Sequence, residues 1–189
     1  DMVSFVDLPD WYGRANTKYR LYVDLEAGIA RSHDSVETTS LSNVEYITGT
    51  IYADYIRGDS GTNLLNGEAG NDTLNGGTGN DSLYGGTGTD RADFSVASTT
   101  ITVAMGTDGL ILTSADGTDF VSNDVENFQF SNTTLTYAQV AALAPPTTPT
   151  ITGTDAGENI DGTSQTEIIN ALGGWDWILP GTGADTING

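Results

Sequence analysis

The sequence predicts an all-β fold: a solenoid of stacked short strands in two blocks, flanked by strand-rich segments and closed by one short helix. Three observations point there. A nine-residue period runs from Gly58 as GDSGTNLLN, GEAGNDTLN, GGTGNDSLY and GGTGTDRAD, with Gly at positions 1 and 4, Asp or Asn at position 6 and an apolar residue at position 8. Consecutive units at a fixed short period stack as a solenoid. The segments on either side alternate apolar and polar residues over short runs rich in Val, Ile, Thr and aromatics, the pattern of half-buried strands. The charge is lopsided, with 26 Asp and Glu against 6 Lys and Arg, a formal net charge of −20 in 189 residues. Such self-repulsion opposes compaction unless cations offset it.

Composition narrows the function. An acidic chain is a poor partner for nucleic acid or an anionic membrane surface, both of which need basic patches. No run of 18 apolar residues exists to span a membrane as a helix. There is no Cys. An extracellular protein without disulfides needs another staple, and divalent metal is the obvious candidate. The ordered Gly/Asp period and the 37% hydrophobic content argue against wholesale disorder once cations are present. The chain begins at Asp1 without Met, so an N-terminal export signal would not be visible.

Taken in order, residues 1–48 form a strand-rich flank containing DMVSF, YRLYVDLEAG and SNVEYI. Residues 49–93 form the first repeat block, and its opening unit, GTIYADYIR, keeps Asp54 and Ile56 but has Tyr52 at position 4. Residues 94–144 form a strand cap. It shares its pattern with the first flank (DRADFS, TTITVAMGTDG, SNDVENFQF) and ends in a short helix. Thr136-Tyr137-Ala138-Gln139 has capping-box form, and Pro145 stops the helix. Ala92, small at position 8, is expected to mark the end of the first stack. Residues 145–150 are a Pro/Thr linker. Residues 151–189 form a second, degenerate block with Glu158, Glu167, Asp176 and Asp185 at position 6 and Ile160, Ile169, Ile178 and Ile187 at position 8. Gly189 falls at position 1 of a further unit and Asp1 at position 6, so four residues would join them in register. The stretch is therefore expected to be about one period, roughly 193 residues, of a tandem array.

The chemistry follows from stacking. Two nonapeptides make one coil, with positions 1–6 as turn and 7–9 as strand, so residues 18 apart sit at the strand spacing of roughly 4.8 Å. Asp54, Asp72 and Asp90 then form one column, and Asn63 and Asp81 line the opposite edge. Carbonyls between rows of carboxylates suit Ca²⁺, which takes six or more oxygens and tolerates irregular geometry; Mg²⁺ fits worse. Zinc is disfavoured with no Cys and one His. The expected ligand turns are Gly58, Ser60, Gly61 and Asn63, then Gly67, Ala69, Gly70 and Asp72. Gly76, Thr78, Gly79 and Asp81 follow, and then Gly85, Thr87, Gly88 and Asp90. Asp54 precedes them. In the second block Gly173, Asp176, Gly181, Gly183 and Asp185 are the best candidates, because Glu158 and Glu167 carry a longer side chain.

The units Gly67–Asn75, Gly76–Tyr84 and Gly85–Asp93 resemble the GGxGxDxUx nonapeptide of the RTX (repeats-in-toxin) family, where U is a large apolar residue. The resemblance implies a parallel β-roll, calcium in the turns and export by a type I secretion system. It leads us to expect a secreted or surface-bound bacterial module that folds on several Ca²⁺ ions after secretion. Its role would be structural or adhesive within a larger protein, and non-catalytic. The alternatives are a polysaccharide-binding accessory module and the C-terminal part of a secreted protease, lipase or polysaccharide epimerase.

Other candidates are weaker. His33 is the only histidine, so no second one completes a catalytic pair, and it reads as a surface residue. A glycosidase-like carboxylate pair is allowed by residue type but not supported, since the position 6 carboxylates are committed elsewhere. Trp11 and Tyr12 beside Arg14, and Trp175 and Trp177 around Asp176, are candidates for stacking on an extracellular polysaccharide. Asn66-Gly67 and Asn75-Gly76 are also hairpin signals, but an unbroken period of nine outweighs them.

Overall fold

Positions 7–9 of each nonapeptide are where an extended backbone with one inward side chain costs least, and strands form there. The computed structural model describes residues 2–4, 20–32, 38–145 and 148–189. The chain divides into two units, Asp1–Pro145 and Pro146–Gly189.

The first unit opens with β1 (Met2–Ser4), β2 (Leu21–Asp24), β3 (Ile29–Ser32) and β4 (Thr39–Ser40). The repeats then give β5 (Tyr46–Thr48), β6 (Tyr55–Arg57), β7 (Leu64–Asn66), β8 (Ala69–Gly70), β9 (Thr73–Asn75), β10 (Ser82–Tyr84), β11 (Thr87–Gly88) and β12 (Arg91–Asp93). The cap adds β13 (Thr102–Met105), β14 (Gly109–Thr113), β15 (Thr118–Ser122), β16 (Asn127–Gln129), β17 (Thr134–Thr136) and α1 (Tyr137–Ala141). One large sheet runs β1-β5-β7-β10-β15-β14-β13, the other β17-β16-β12-β9-β6-β2-β3-β4, and β8 and β11 pair in parallel as a third, two-stranded one. The repeat strands pair in parallel with an offset of 18, Tyr46 to Leu64 and Leu64 to Ser82 on one face, Tyr55 to Thr73 and Thr73 to Arg91 on the other. This is a parallel β-roll, and the Asn-Gly pairs start turns between sheets rather than hairpins.

The stack does not end at Ala92. Ala92 pairs with Phe128 and Leu83 with Val121, so β15 and β16 form one more coil without nonapeptide sequence. The β13–β14 hairpin inserted before it stretches the offset and hides the register. Ala92 is fully buried, and its small volume leaves room for the aromatic next to it. Phe94, Phe128 and Phe130 stack there with centroids 5.3–6.5 Å apart. The two similar flanks take the same path. In each, a three-stranded antiparallel meander separates two strands that pair in parallel, β1 with β5 and β12 with β16. They dock oppositely: β2 pairs with β6, which follows it, and β15 with β10, which precedes it.

The core is one side chain deep. Ile47, Leu65, Leu83 and Val121 line one sheet and Ile56, Leu74, Ala92 and Phe128 the other, all fully buried. Each Leu or Ile stabilises by roughly 1.5–3 kcal/mol through burial. Leu74→Ala is expected to cost about 2–5 kcal/mol, read from denaturant melts, since the rungs above and below hold the void open. The predicted helix forms with its capping box complete: Thr136 accepts from the Gln139 amide, and the Gln139 side chain returns to the Thr136 amide. Its one buried residue, Val140, seals the core.

The second unit holds β18 (Thr150–Thr152), β19 (Asn159–Asp161), β20 (Ile168–Asn170), β21 (Trp177–Leu179) and β22 (Thr186–Asn188). Its sheets, β18-β20-β22 and β19-β21, are also parallel with an offset of 18. Its core is small: Ile160, Ile169 and Ala171, with Ile151 and Ile178 against them. Leu172 sits at position 2 of a turn with φ 63 and is 51% exposed. That conformation is strained for leucine by roughly 1–2 kcal/mol. Leu172→Gly is expected to raise the melting temperature of this unit in a calorimetric scan.

Candidate metal centre

A turn that doubles back every nine residues leaves amides pointing along the stack with no strand partner, and such groups need acceptors. The position 6 carboxylates supply them. Each accepts the amide of the position 6 residue one coil earlier. Asp54 N–H donates to Asp72 Oδ1 at 2.7 Å, Asp72 N–H to Asp90 Oδ1 at 2.8 Å and Asp90 N–H to Glu126 Oε2 at 2.7 Å. At the start of this column Leu21 N–H donates to Asp54 Oδ1 at 2.7 Å. On the other edge Asn63 N–H donates to Asp81 Oδ1 and Asp81 N–H to Asp119 Oδ1, at 2.8 and 2.9 Å. The second unit repeats the pattern, Glu158 to Asp176 at 3.2 Å and Glu167 to Asp185 at 3.0 Å.

One oxygen of each carboxylate is thereby used. The other oxygens of Asp72, Asp81 and Asp90 are buried and have no hydrogen-bond partner. Three unpaired anionic oxygens inside a protein call for a cation. Position 1 shows where it belongs. A Cβ added to Gly67 would meet Asp72 Oδ2 at 2.3 Å and the Gly85 carbonyl at 2.7 Å. On Gly76 it would meet Asp81 Oδ2 at 2.3 Å, and on Gly85 Asp90 Oδ2 and the Asp124 carbonyl, both at 2.6 Å. Glycine is needed here because the bare face of its α-carbon is the floor of an oxygen-lined cradle. Among the described residues no three acidic or imidazole groups gather at one point. The cradles of Gly67 and Gly85 instead offer one carboxylate oxygen beside a main-chain carbonyl, a donor set that suits Ca²⁺ and not zinc.

Not every turn is built this way. Asp54 Oδ2 accepts the Thr50 amide at 2.6 Å and its hydroxyl at 2.9 Å. Asn63 Oδ1 accepts the Asp59 amide at 2.8 Å. Glu167 accepts the amide of Thr163 at 3.0 Å and its hydroxyl, and Glu158 the Thr154 amide. Where threonine stands at position 2, the carboxylate is satisfied from within its own turn. Where Glu68, Gly77 or Gly86 stands there, it is not.

Burial sets the charge state of the open carboxylates. Desolvation pushes Asp72 up to about 8, helped by Asp54 and Asp90 nearby and opposed by the Asp54 amide. It pushes Asp81 up to about 7, with Asp119 and Asp59 adding to it. Asp90 and Asp119 are raised for the same reason. Without a cation, Asp72 and Asp81 hold a proton near neutral pH far more readily than an ordinary carboxyl.

A family model described as the RTX calcium-binding nonapeptide repeat matches in four copies, over residues 42–74, 67–93 and 152–187. These segments are RTX calcium-binding repeats. Among solved structures the chain is similar to the crystal structure of the extracellular lipase LipA from Serratia marcescens. That similarity has TM-score 0.42 and 19% identity, and covers 76% of this chain and 27% of the lipase. No curated protein matches the chain.

The RTX register brings together much of what the sequence marks out. The position 1 carbonyls of Gly67, Gly76 and Gly85 enter the cradles of Gly49, Gly58 and Gly67. The position 4 carbonyls of Gly61 and Gly70 lie against Gly79 and Gly88, close enough to exclude any side chain there. The amides of Ala69, Thr78 and Thr87 at position 3 bond along the stack to Thr50, Asp59 and Glu68 carbonyls, and Ser60 is exposed. In the second block Asp176 and Asp185 are half-buried, Gly173 and Gly183 are exposed, and Gly181 has φ 87 against the Thr163 carbonyl. Trp175 and Trp177 are 96% and 68% exposed. Trp11, Tyr12, Arg14 and His33 lie outside the described residues. Asp124 and Glu126 continue the columns without the repeat's glycines, whereas Asp119 keeps one, Gly117 at position 4, which lies against the Gly79 carbonyl as Gly79 lies against that of Gly61. The signal that would have found Asp124 and Glu126 is SNDVENF, which repeats the earlier SNVEYI, and that for Asp119 is the spacing of Gly117, Asp119 and Val121.

Proposed function

We propose that this chain is an extracellular RTX module that folds on calcium after secretion and serves as a structural or adhesive part of a larger bacterial protein, without catalysis of its own. The observation that carries this is the set of buried, unpartnered oxygens on Asp72, Asp81 and Asp90, each over a glycine cradle. Gly67, Asp72 and Gly85 hold one ion, Gly76 and Asp81 a second, and Gly85 and Asp90 a third. Calcium there supplies the positive charge that lets carboxylates ionise inside a thin core, and with it folding free energy that the apolar rungs alone do not provide. At low intracellular calcium the acidic coils stay open for export, and at millimolar calcium outside they close. Circular dichroism and thermal melts in EDTA and in calcium test this. Loss of the β signal or a large fall in melting temperature in EDTA is expected; identical spectra and melts would discard the reading.

One observation favours contact with polysaccharide. Trp175 and Trp177 flank Asp176 with their rings in solvent, and exposed indoles stack on sugar faces. Trp175→Ala is expected to lower retention on an affinity gel of the bound glycan; unchanged retention on every acidic and neutral glycan tested removes this reading.

A further inference from the structure

The net charge of −20 hides a local reversal. All four basic side chains among the described residues belong to one sheet: Arg31 in β3, Arg57 in β6, Arg91 in β12, and Arg20 directly before β2. We infer that the outer face of this sheet binds a uronate-bearing polysaccharide, with one sugar ring stacked on Tyr55 over Thr73 and its carboxylate on Arg20. The site is separate from Trp175 and Trp177, and it rests on the RTX reading only for the folded roll that carries it.

Position 7 of each repeat points outward, and on this sheet it forms a row across the strands. Arg31 pairs with Tyr22, Tyr22 with Tyr55, Tyr55 with Thr73 and Thr73 with Arg91. The first three are stacked. The Arg31 guanidinium lies 4.7 Å from the centre of the Tyr22 ring, with its Nε buried and without a hydrogen-bond partner. The rings of Tyr22 and Tyr55 are 5.1 Å apart and 11° from parallel. The stack stops at Tyr55, because the next rung is a threonine too short to continue it. Among the described residues no ring or cation covers the second face of Tyr55. Arg91 rises again one rung beyond, so Thr73 is the floor of a slot two rungs wide, roughly 9.5 Å. A ring laid over Thr73 would extend the stack at the spacing already set by Tyr22 and Tyr55, and an aromatic face suits the apolar face of a pyranose.

Charge decides which sugar. The slot opens into a cavity of about 180 Å³ whose lining includes Arg20, Tyr55, Asn71 and Thr73. Arg57 and Arg91 are already paired, with Asp24 at 3.5 Å and Asp93 at 2.6 Å. Arg20 has no ion pair among the described residues. Asp54, which also lines the cavity, spends one oxygen on the Leu21 amide and the other on the Thr50 amide, so it turns no bare oxygen toward an anion. A carboxylate-bearing ring therefore meets a guanidinium whose planar fork matches it, and a neutral sugar leaves that fork unused.

The test is calorimetric titration of the full chain in calcium, its fold confirmed by far-UV spectra, with a galacturonate trimer, a maltose trimer and a sulfated maltose trimer. Trimers are used because longer uronate chains gel with calcium. The galacturonate trimer is expected to bind about tenfold tighter than the maltose trimer, the gain of one charge-assisted hydrogen bond. Arg20→Gln is expected to remove that preference. Thr73→Tyr fills the slot with a residue that this row already carries twice, and is expected to abolish binding while the sheet stays folded. Tyr55→Leu is expected to weaken it several-fold, and Trp175→Ala to leave it unchanged. Equal affinity for the galacturonate and maltose trimers overturns the site, as does parent-like binding by both Arg20→Gln and Thr73→Tyr. Loss of binding in Trp175→Ala places the sugar on the second unit instead. A sulfated trimer that binds as tightly as the uronate marks a general anion patch and also overturns it. Identical spectra in EDTA and in calcium discard the calcium reading and leave this test in force.

Discussion

Asp72→Asn is expected to stabilise the metal-free roll and destabilise the calcium-loaded one. The opposite signs come from one atom. Asp72 is 1% exposed, its Oδ1 holds the Asp54 amide, and its Oδ2 is bare. Without calcium, burying this carboxyl costs the fold a few kcal/mol, as a proton held at neutral pH and as a bare charge above about pH 8, an order-of-magnitude figure from the raised pKa. Asparagine keeps the acceptor for Asp54 and carries no charge, so it removes the cost. With calcium, the same change deletes the anionic ligand, and a loss of about 3–5 kcal/mol is expected, comparable to breaking a buried charge pair. Urea melts of parent and variant in EDTA and in millimolar calcium check both signs. A variant less stable than the parent in EDTA at pH 8 would show that Oδ2 is not the liability described.

The second large effect is on pH. Burial raises Asp72 from its ordinary value of 3.8 to about 8 and Asp81 to about 7. A carboxyl raised on folding favours the folded state while it is protonated. Its contribution is complete below about pH 4 and is lost as pH climbs through 7 and then 8. The metal-free roll is therefore expected to be most stable in mild acid and to weaken steadily to pH 8. Calcium reverses the slope, because only the ionised groups bind it. Affinity is expected to rise across the same window, and uptake to release protons. Calorimetry in two buffers of different ionisation enthalpy measures that release directly. Equal heats in both buffers at pH 6.5, or metal-free melts that rise with pH, contradict it.

Much of the roll was legible because the nonapeptide is its own ruler. Position 8 gave Ile56, Leu65, Leu74 and Leu83, all fully buried, and position 6 gave the buried Asp54, Asn63, Asp72, Asp81 and Asp90. The last coil was not legible, for a geometric reason. Between β12 and β16 the chain makes a hairpin excursion, so Asp90 is matched by Glu126 and Asp81 by Asp119, 36 and 38 residues on. No period survives that gap. Nor did the sequence distinguish a closed turn from an open one. Thr50 looks like ordinary turn punctuation, yet its amide and hydroxyl occupy the carboxylate that a cation would need, whereas in the Asp72 turn the Glu68 amide is taken by Asn66 Oδ1 and Oδ2 stays bare.

The amide-to-carboxylate ladder is directional, and that has a consequence for assembly. The rung at Asp54 is fastened by Asp72, that at Asp72 by Asp90, and that at Asp90 by Glu126, always by a residue later in the chain. The glycine cradles obey the same rule, with the roof over Gly49 coming from Gly67 and the roof over Gly85 from Asp124. On this ladder the position 6 amide of a coil has no acceptor until the next coil is in place. The ladder is thus completed from the hairpin end back toward the amino terminus, and a stretch lacking the coil after it leaves its last position 6 amide unpaired.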